Sequence, residues 1–189
     1  MELLGVTHAG MSPEGVTTLV SDWLPASRHP KFDRPCNGIV FQPMREALDD
    51  PRANGFRTWI VSGGGTDFMR AFAEQADGIP PEQVIGSEIG TEHQLIDGKP
   101  GFLRKAEVAF VDDGLGKPVA IERPIGPVIA FGNSDGDYEM LDYTTAGEGP
   151  RRGLIVTTPM PRGNGPATAA AISASWSAGC TMPRPRAGC

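Results

Sequence analysis

Apolar positions first repeat at helical spacing near the amino end. Val16, Leu19, Val20, Trp23 and Leu24 form one apolar face. Ser12 stands where an N-cap would, with Pro13 at the first helical position, and Pro25 closes the run. Gly15 takes the place of the Glu or Gln that would complete a capping box. Residues 25–38 are rich in Pro, Arg and small polar residues and read as a loop. A second helix is expected over 43–54, closed by Gly55.

The period then changes. Residues 56–61 are short, β-branched and aromatic, and run into Ser62-Gly63-Gly64-Gly65, which predicts a strand ending in a glycine turn. Thr66 is expected to cap a helix in which Phe68, Ala71 and Phe72 share a face. A short strand at 84–86 and a hairpin over 92–104 turning at Asp97-Gly98 follow. Lys117 falls in a loop or early helical turn. A buried strand at 128–131 leads into Gly132-Asn133-Ser134-Asp135-Gly136-Asp137, then a helix beginning at 138–143 and a last strand at 153–156. Strand, glycine turn and helix in this order predict an α/β architecture with a parallel sheet.

Composition narrows the function classes. The chain has 189 residues, 39% hydrophobic and 21% charged, enough for one domain with a small appendage. A net charge of −6 argues against a nucleic-acid binder, which needs a basic face. No apolar run is long enough to span a membrane, and no targeting segment is evident, so a cytoplasmic location is the default expectation. Cys36, Cys180 and Cys189 suggest neither zinc nor a disulfide framework, and His8, His29 and His93 are scattered.

Charge also marks a boundary near residue 157. Residues 157–189 hold three Arg and no other charged side chain, so the first 156 carry 14 basic and 23 acidic groups, a net of −9. This Ala/Pro/Gly-rich tail shows no periodicity and reads as disordered, or as a shifted reading frame whose alternative text is charged and helix-compatible.

Three constellations could carry chemistry. In residues 132–137, oxygen-bearing side chains crowd a tight glycine loop at the end of an apolar strand. Asn133, Asp135 and Asp137 are candidate ligands for Mg²⁺, which needs only one or two carboxylates when phosphate completes its shell. The bland alternative is a polar turn whose Asp residues cap the following helix. A calcium loop would want Gly at 138 and Glu at 144, where the chain has Tyr138 and Thr144. Ser62 with Gly63 and Gly64 offers a hydroxyl and bare N–H groups to an anion, though a glycine-rich surface turn looks the same in sequence. Lys117 alone would be ordinary surface.

The order of these features resembles the haloacid dehalogenase-like superfamily, in particular its phosphoserine-phosphatase-like branch. That resemblance covers roughly residues 1–156. It implies a three-layer Rossmann-like fold, with residues 1–54 as a partial helical cap, 55–156 as the core and 157–189 as a tail. Ser62 matches the strand-ending phosphate ligand, Lys117 the family lysine and Gly132 to Asp137 the acidic loop. Ser62 and Lys117 would be catalytic; Ser62, Gly63, Gly64 and Lys117 would bind phosphate; Asp137, Asn133 and Asp135 would hold Mg²⁺. The substrate would be a small phosphomonoester, attacked by an aspartate to give an aspartyl-phosphate. Two departures stand out. Asn133 replaces the usual Asp ligand, so Asp137, with Asp135 nearby, is expected to carry more of the site. No Asp-x-Asp-x-Thr/Val motif precedes Ser62, so the chain is expected to lack the nucleophile and the first strand, to begin inside the cap, and to be marginally stable and inactive.

Overall fold

The computed structural model describes residues 6–39, 42–157 and 171–173, and the chain divides into two compact units, Met1–Gly116 and Lys117–Cys189.

In the first unit, helix α1 (Pro13–Trp23) starts as its sequence dictates. Ser12 is extended, and its hydroxyl accepts from the Gly15 amide at 3.0 Å. The buried stripe is narrower than the apolar pattern suggests. Val16, Val20 and Leu24 are buried, whereas Leu19 and Trp23 are about half exposed; α1 packs mainly against a short helix and one strand of the same unit. Helix α2 (Gln42–Ala53) ends at Gly55, which takes the left-handed conformation (φ +82°) expected of a helix-closing glycine.

Strand β1 (Ile60–Gly65) begins four residues later than predicted and runs on through the glycines. Its partner sets the start. Strand β2 (Val84–Ile96) begins opposite Ile60, in parallel register, directly after a 3₁₀ turn at Pro81–Gln83, so residues 56–59 have no strand beside them in that ladder. The helix expected after the glycines is broken in two, α3 (Thr66–Arg70) and α4 (Ala73–Asp77). Gly65, not Thr66, is the N-cap residue, and the Thr66 hydroxyl donates instead to the Ser87 carbonyl at 3.3 Å. The break turns Met69 and Ala73 into the core with Ile79 and Val84, while Phe68 stays partly exposed, edge-on to Phe72.

The hairpin turns at Asp97-Gly98 as predicted, both residues with positive φ (51° and 78°). Its arms are longer than the sequence suggests: β2 pairs antiparallel with β3 (Lys99–Phe110). Gly86, Gly90 and the interspersed charges hide the alternation. Arg104 anchors β3. Its backbone pairs with Gly10 and Met11, and its buried guanidinium meets Asp67 at 2.8 Å.

Arg52 ties three segments of this unit together. It donates to Thr58 Oγ1 at 2.9 Å and to the Asp77 carbonyl at 2.6 Å. Burial raises the Asp77 pKa, only partly offset by Arg45 and Arg52. A raised folded-state pKa means that Asp77 favours folding when protonated. Its contribution is full below the unfolded-state pKa and is lost as pH rises through the folded-state value. Asp77→Asn is therefore expected to stabilise the chain slightly at pH 7, with the gain vanishing in acid. Urea midpoints of both proteins across that range check it; a variant less stable at pH 7 would contradict it.

The second unit holds α5 (Gly116–Glu122, whose first residue closes the first unit), β4 (Ile129–Gly132), a 3₁₀ turn at Asp135–Asp137, α6 (Tyr138–Ala146), β5 (Arg152–Thr157) and β6 (Ala171–Ser173). Strand β5 pairs parallel with β4 and antiparallel with β6. Met140 and Leu141 of α6 are buried, as are Ile121 and Ala130, and α6 packs on both parallel strands. Strand and helix alternate around parallel pairs, the Rossmann-like α/β class expected from the sequence. The tail expectation falls mostly outside the described residues. Within them, Ala171–Ser173 is a strand too short to leave a periodic signature.

Candidate functional site

The glycine loop of the first unit is built by a register shift. Ser62 lies opposite Gly86, yet Gly65 lies opposite Ser87, so Gly63 and Gly64 bulge out of the ladder. Gly86 makes the bulge possible. A Cβ there would come within 2.5 Å of the Met69 methyl and 2.6 Å of the Gly64 carbonyl oxygen. Ser62 is half-buried, and its hydroxyl oxygen accepts from the Gly64 amide at 3.1 Å. Beneath the loop, Ser87 is 1% exposed. Its hydroxyl donates to the Gly63 carbonyl at 2.9 Å and accepts from the Asp112 amide at 3.0 Å.

The second unit brings Lys117 and the acidic loop together. Lys117, the second residue of α5, is buried rather than solvated, as is Ile121 on the same helix. Its ammonium lies 3.3 Å from Asp137 Oδ1, with only 4% and 10% of the two side chains exposed. The other oxygen, Asp137 Oδ2, accepts from the Asn133 amide (2.8 Å), the Ser134 amide (3.1 Å) and the Ser134 hydroxyl (3.2 Å). Ser134 and Asp137 form a reciprocal capping box. Gly132 is needed for this fold-back, since a Cβ there would lie 2.6 Å from the Asp137 Cβ. Asp137 thus closes its own 3₁₀ turn, while at the start of α6, where it is the N-cap residue, its side chain makes no capping bond. Asn133 and Asp135 are exposed on the same turn.

Among the described residues no three His, Cys, Asp or Glu side chains converge on one point. The donor set is nevertheless of the kind that Mg²⁺ takes, with hard oxygens on one tight loop and Asn133 and Asp135 exposed there. The three histidines lie apart. His8 meets Thr7, His29 meets Phe32 and His93 meets Phe102. Cys36 carries a free thiol near Ser27; Cys180 and Cys189 lie outside the described residues.

The sequence reading missed Ser134, Gly86 and Ser87. The Ser-x-x-Asp spacing of residues 134–137 is a capping-box pattern and was there to be found. Gly86-Ser87 shows only as two small residues interrupting a strand-like run. Nothing in the sequence says what they touch.

A family model described as "HAD: haloacid dehalogenase-like hydrolase" matches residues 1–142. Among solved structures, the chain is similar to a conserved, functionally unknown protein from Anaerococcus prevotii DSM 20548. That similarity is 22% identity and a TM-score of 0.54, over 75% of this chain and 46% of that one. It is also similar to a phosphoserine phosphohydrolase-like protein from Francisella tularensis subsp. tularensis SCHU S4, at 21% identity and a TM-score of 0.41, over 69% of this chain and 53% of that one. The chain spans about half the length of these structures. No curated protein matches it. Among the described residues no helix is long and apolar enough to cross a membrane.

Proposed function

We propose that this chain, which belongs to the haloacid dehalogenase-like hydrolase family, carries the phosphate-recognition residues of a Mg²⁺-dependent phosphomonoester hydrolase but not its nucleophile. The observation that carries this reading is Lys117. Lysine is ordinarily solvated, yet here its ammonium is buried and held 3.3 Å from Asp137, on the loop that ends a parallel strand. Burying that charge is expensive for folding alone. Open α/β sheets bind their ligands at the carboxyl ends of such strands.

The roles follow from the geometry of each group. Ser62 has its oxygen held by the Gly64 amide, which leaves its O–H to donate to a phosphoryl oxygen. The bulge exposes Gly64 and half-exposes Gly63, so no side chain at either position stands between phosphate and the backbone beside Ser62. Lys117 supplies positive charge against the charge of a transferring phosphoryl group, and Asp137 fixes where that charge sits. Asn133 and Asp135, with Asp137 behind them, are the oxygen donors assigned to Mg²⁺. Because both Asp137 oxygens are already engaged, the two exposed residues carry the larger share. The ion, when bound, lowers repulsion between a nucleophile and the phosphate. Residues 1–54 are assigned to a cap and residues 55–156 to the core.

Titration with inorganic phosphate, with and without Mg²⁺, tests the assignment by backbone NMR. Shifts are expected at residues 62–64 and 133–137. Ser62→Ala is expected to weaken binding by about tenfold or more, the scale of one hydrogen bond to a charged group. Shifts confined to other residues, or none at millimolar phosphate, would overturn it.

A further inference from the structure

We infer that Ser87 is a positioning residue for Ser62, acting through a single peptide plane. The inference rests on the reading of Ser62 as a phosphate ligand and adds a residue that this reading does not contain.

The connection runs through three hydrogen bonds. The Asp112 amide donates to Ser87 Oγ at 3.0 Å. With its oxygen receiving that proton, the Ser87 hydroxyl hydrogen points to the Gly63 carbonyl, 2.9 Å away. The Gly63 carbonyl and the Gly64 N–H belong to one trans peptide, so they point in opposite directions. Pinning the carbonyl inward therefore aims the Gly64 N–H outward, where it meets Ser62 Oγ at 3.1 Å. The Ser62 oxygen is an acceptor in that contact, so its own hydrogen is turned away from the loop and is available to an oxyanion.

Two features say that this is an orienting device rather than incidental packing. Gly63 and Gly64 have no side chains to hold the plane, so without Ser87 their peptide is free to flip at little steric cost. Ser87 is almost completely buried, and its hydroxyl both donates and accepts. Each bond in such a chain also polarises the next, which strengthens the final donor at Ser62.

The test has a ligand-free arm and a binding arm. In the unliganded protein, Ser87→Ala should move the Gly64 amide proton resonance upfield and speed its exchange, as Ser62→Ala should also do by removing the acceptor. A folded Ser87→Ala protein with an unchanged Gly64 amide overturns the inference. In the binding arm, Ser87→Ala should weaken inorganic phosphate roughly five- to tenfold, the size of one ordinary hydrogen bond. On a Ser62→Ala background it should weaken phosphate no further, because the effect passes through Ser62. An equal loss on both backgrounds would make Ser87 merely structural and overturn it. If the alanine variant does not fold, Ser87→Cys carries the same comparisons, since it keeps the volume and offers only a weak donor. If the parent chain does not bind phosphate, the phosphate reading fails by itself, while the Gly64 amide still decides whether Ser87 orients Ser62.

Discussion

Incubated with Mg²⁺ and p-nitrophenyl phosphate, the purified 189-residue chain is expected to release no phosphate above the uncatalysed blank. On the proposed reading the assigned residues bind and neutralise, and none of them is assigned as the nucleophile. The sequence has one Asp-x-Asp pair, Asp135 and Asp137, and it is followed by Tyr138 and Glu139 rather than by the Thr or Val of the nucleophile motif. Asp137 is moreover committed to capping its own loop and to Lys117. In other covalent enzymes, loss of the nucleophile lowers turnover by about 10⁶, which would put this chain at the blank. Phosphate should still bind, so binding and turnover are expected to separate. Fusing a segment with Asp-x-Asp-x-Thr ahead of Met1 is the complementary arm, and turnover appearing there alone would fit the proposal. Turnover by the unmodified chain at an ordinary enzymatic rate, about 1 s⁻¹ or faster, would sink it.

The largest stability effect is expected at Asp137. Asp137→Ala removes the acceptor for three donors of its own loop and takes the carboxylate away from the buried Lys117 ammonium. Breaking a buried pair in this way costs about 3–5 kcal/mol. Asp137→Asn should cost less, because an amide oxygen can still accept from the Asn133 and Ser134 amides while the charge is lost. Lys117→Met should cost less than Asp137→Ala, since the carboxylate keeps its three donors. The double variant should be far from additive, as expected of groups in contact. Denaturant unfolding followed by circular dichroism measures all four proteins. A loss below about 1 kcal/mol for Asp137→Ala would mean that the pair is not the anchor of this loop.

How much was legible depended on the range of the interactions involved. Ser12, Pro13 and Gly55 marked helix ends because caps are local, made by residues three or four apart. Asp97-Gly98 marked its turn for the same reason. The start of β1 was not legible. Residues 56–59 have the composition of a strand, but pairing begins only where β2 supplies a partner, 24 positions along the chain at Val84. The broken helix after Gly65 likewise depends on Met69 finding Ile79 and Val84. At the candidate site, Ser62, Lys117 and Asp137 stood out by their order along the chain. What Asp137 does there was not visible, since a capping carboxylate and a metal ligand are the same residue on paper. Ser87 was silent altogether, because its partners come from two other segments.

The close pass of Gly86 beneath Gly64 bears on how such a site can change over time. Most binding loops are retuned by swapping the side chains that support them. Here the supporting position admits no side chain, since even a methyl group would collide with the loop's own backbone. The floor of the loop is closed to variation, and new specificity has to be written elsewhere in the protein while this stretch of chain stays as it is.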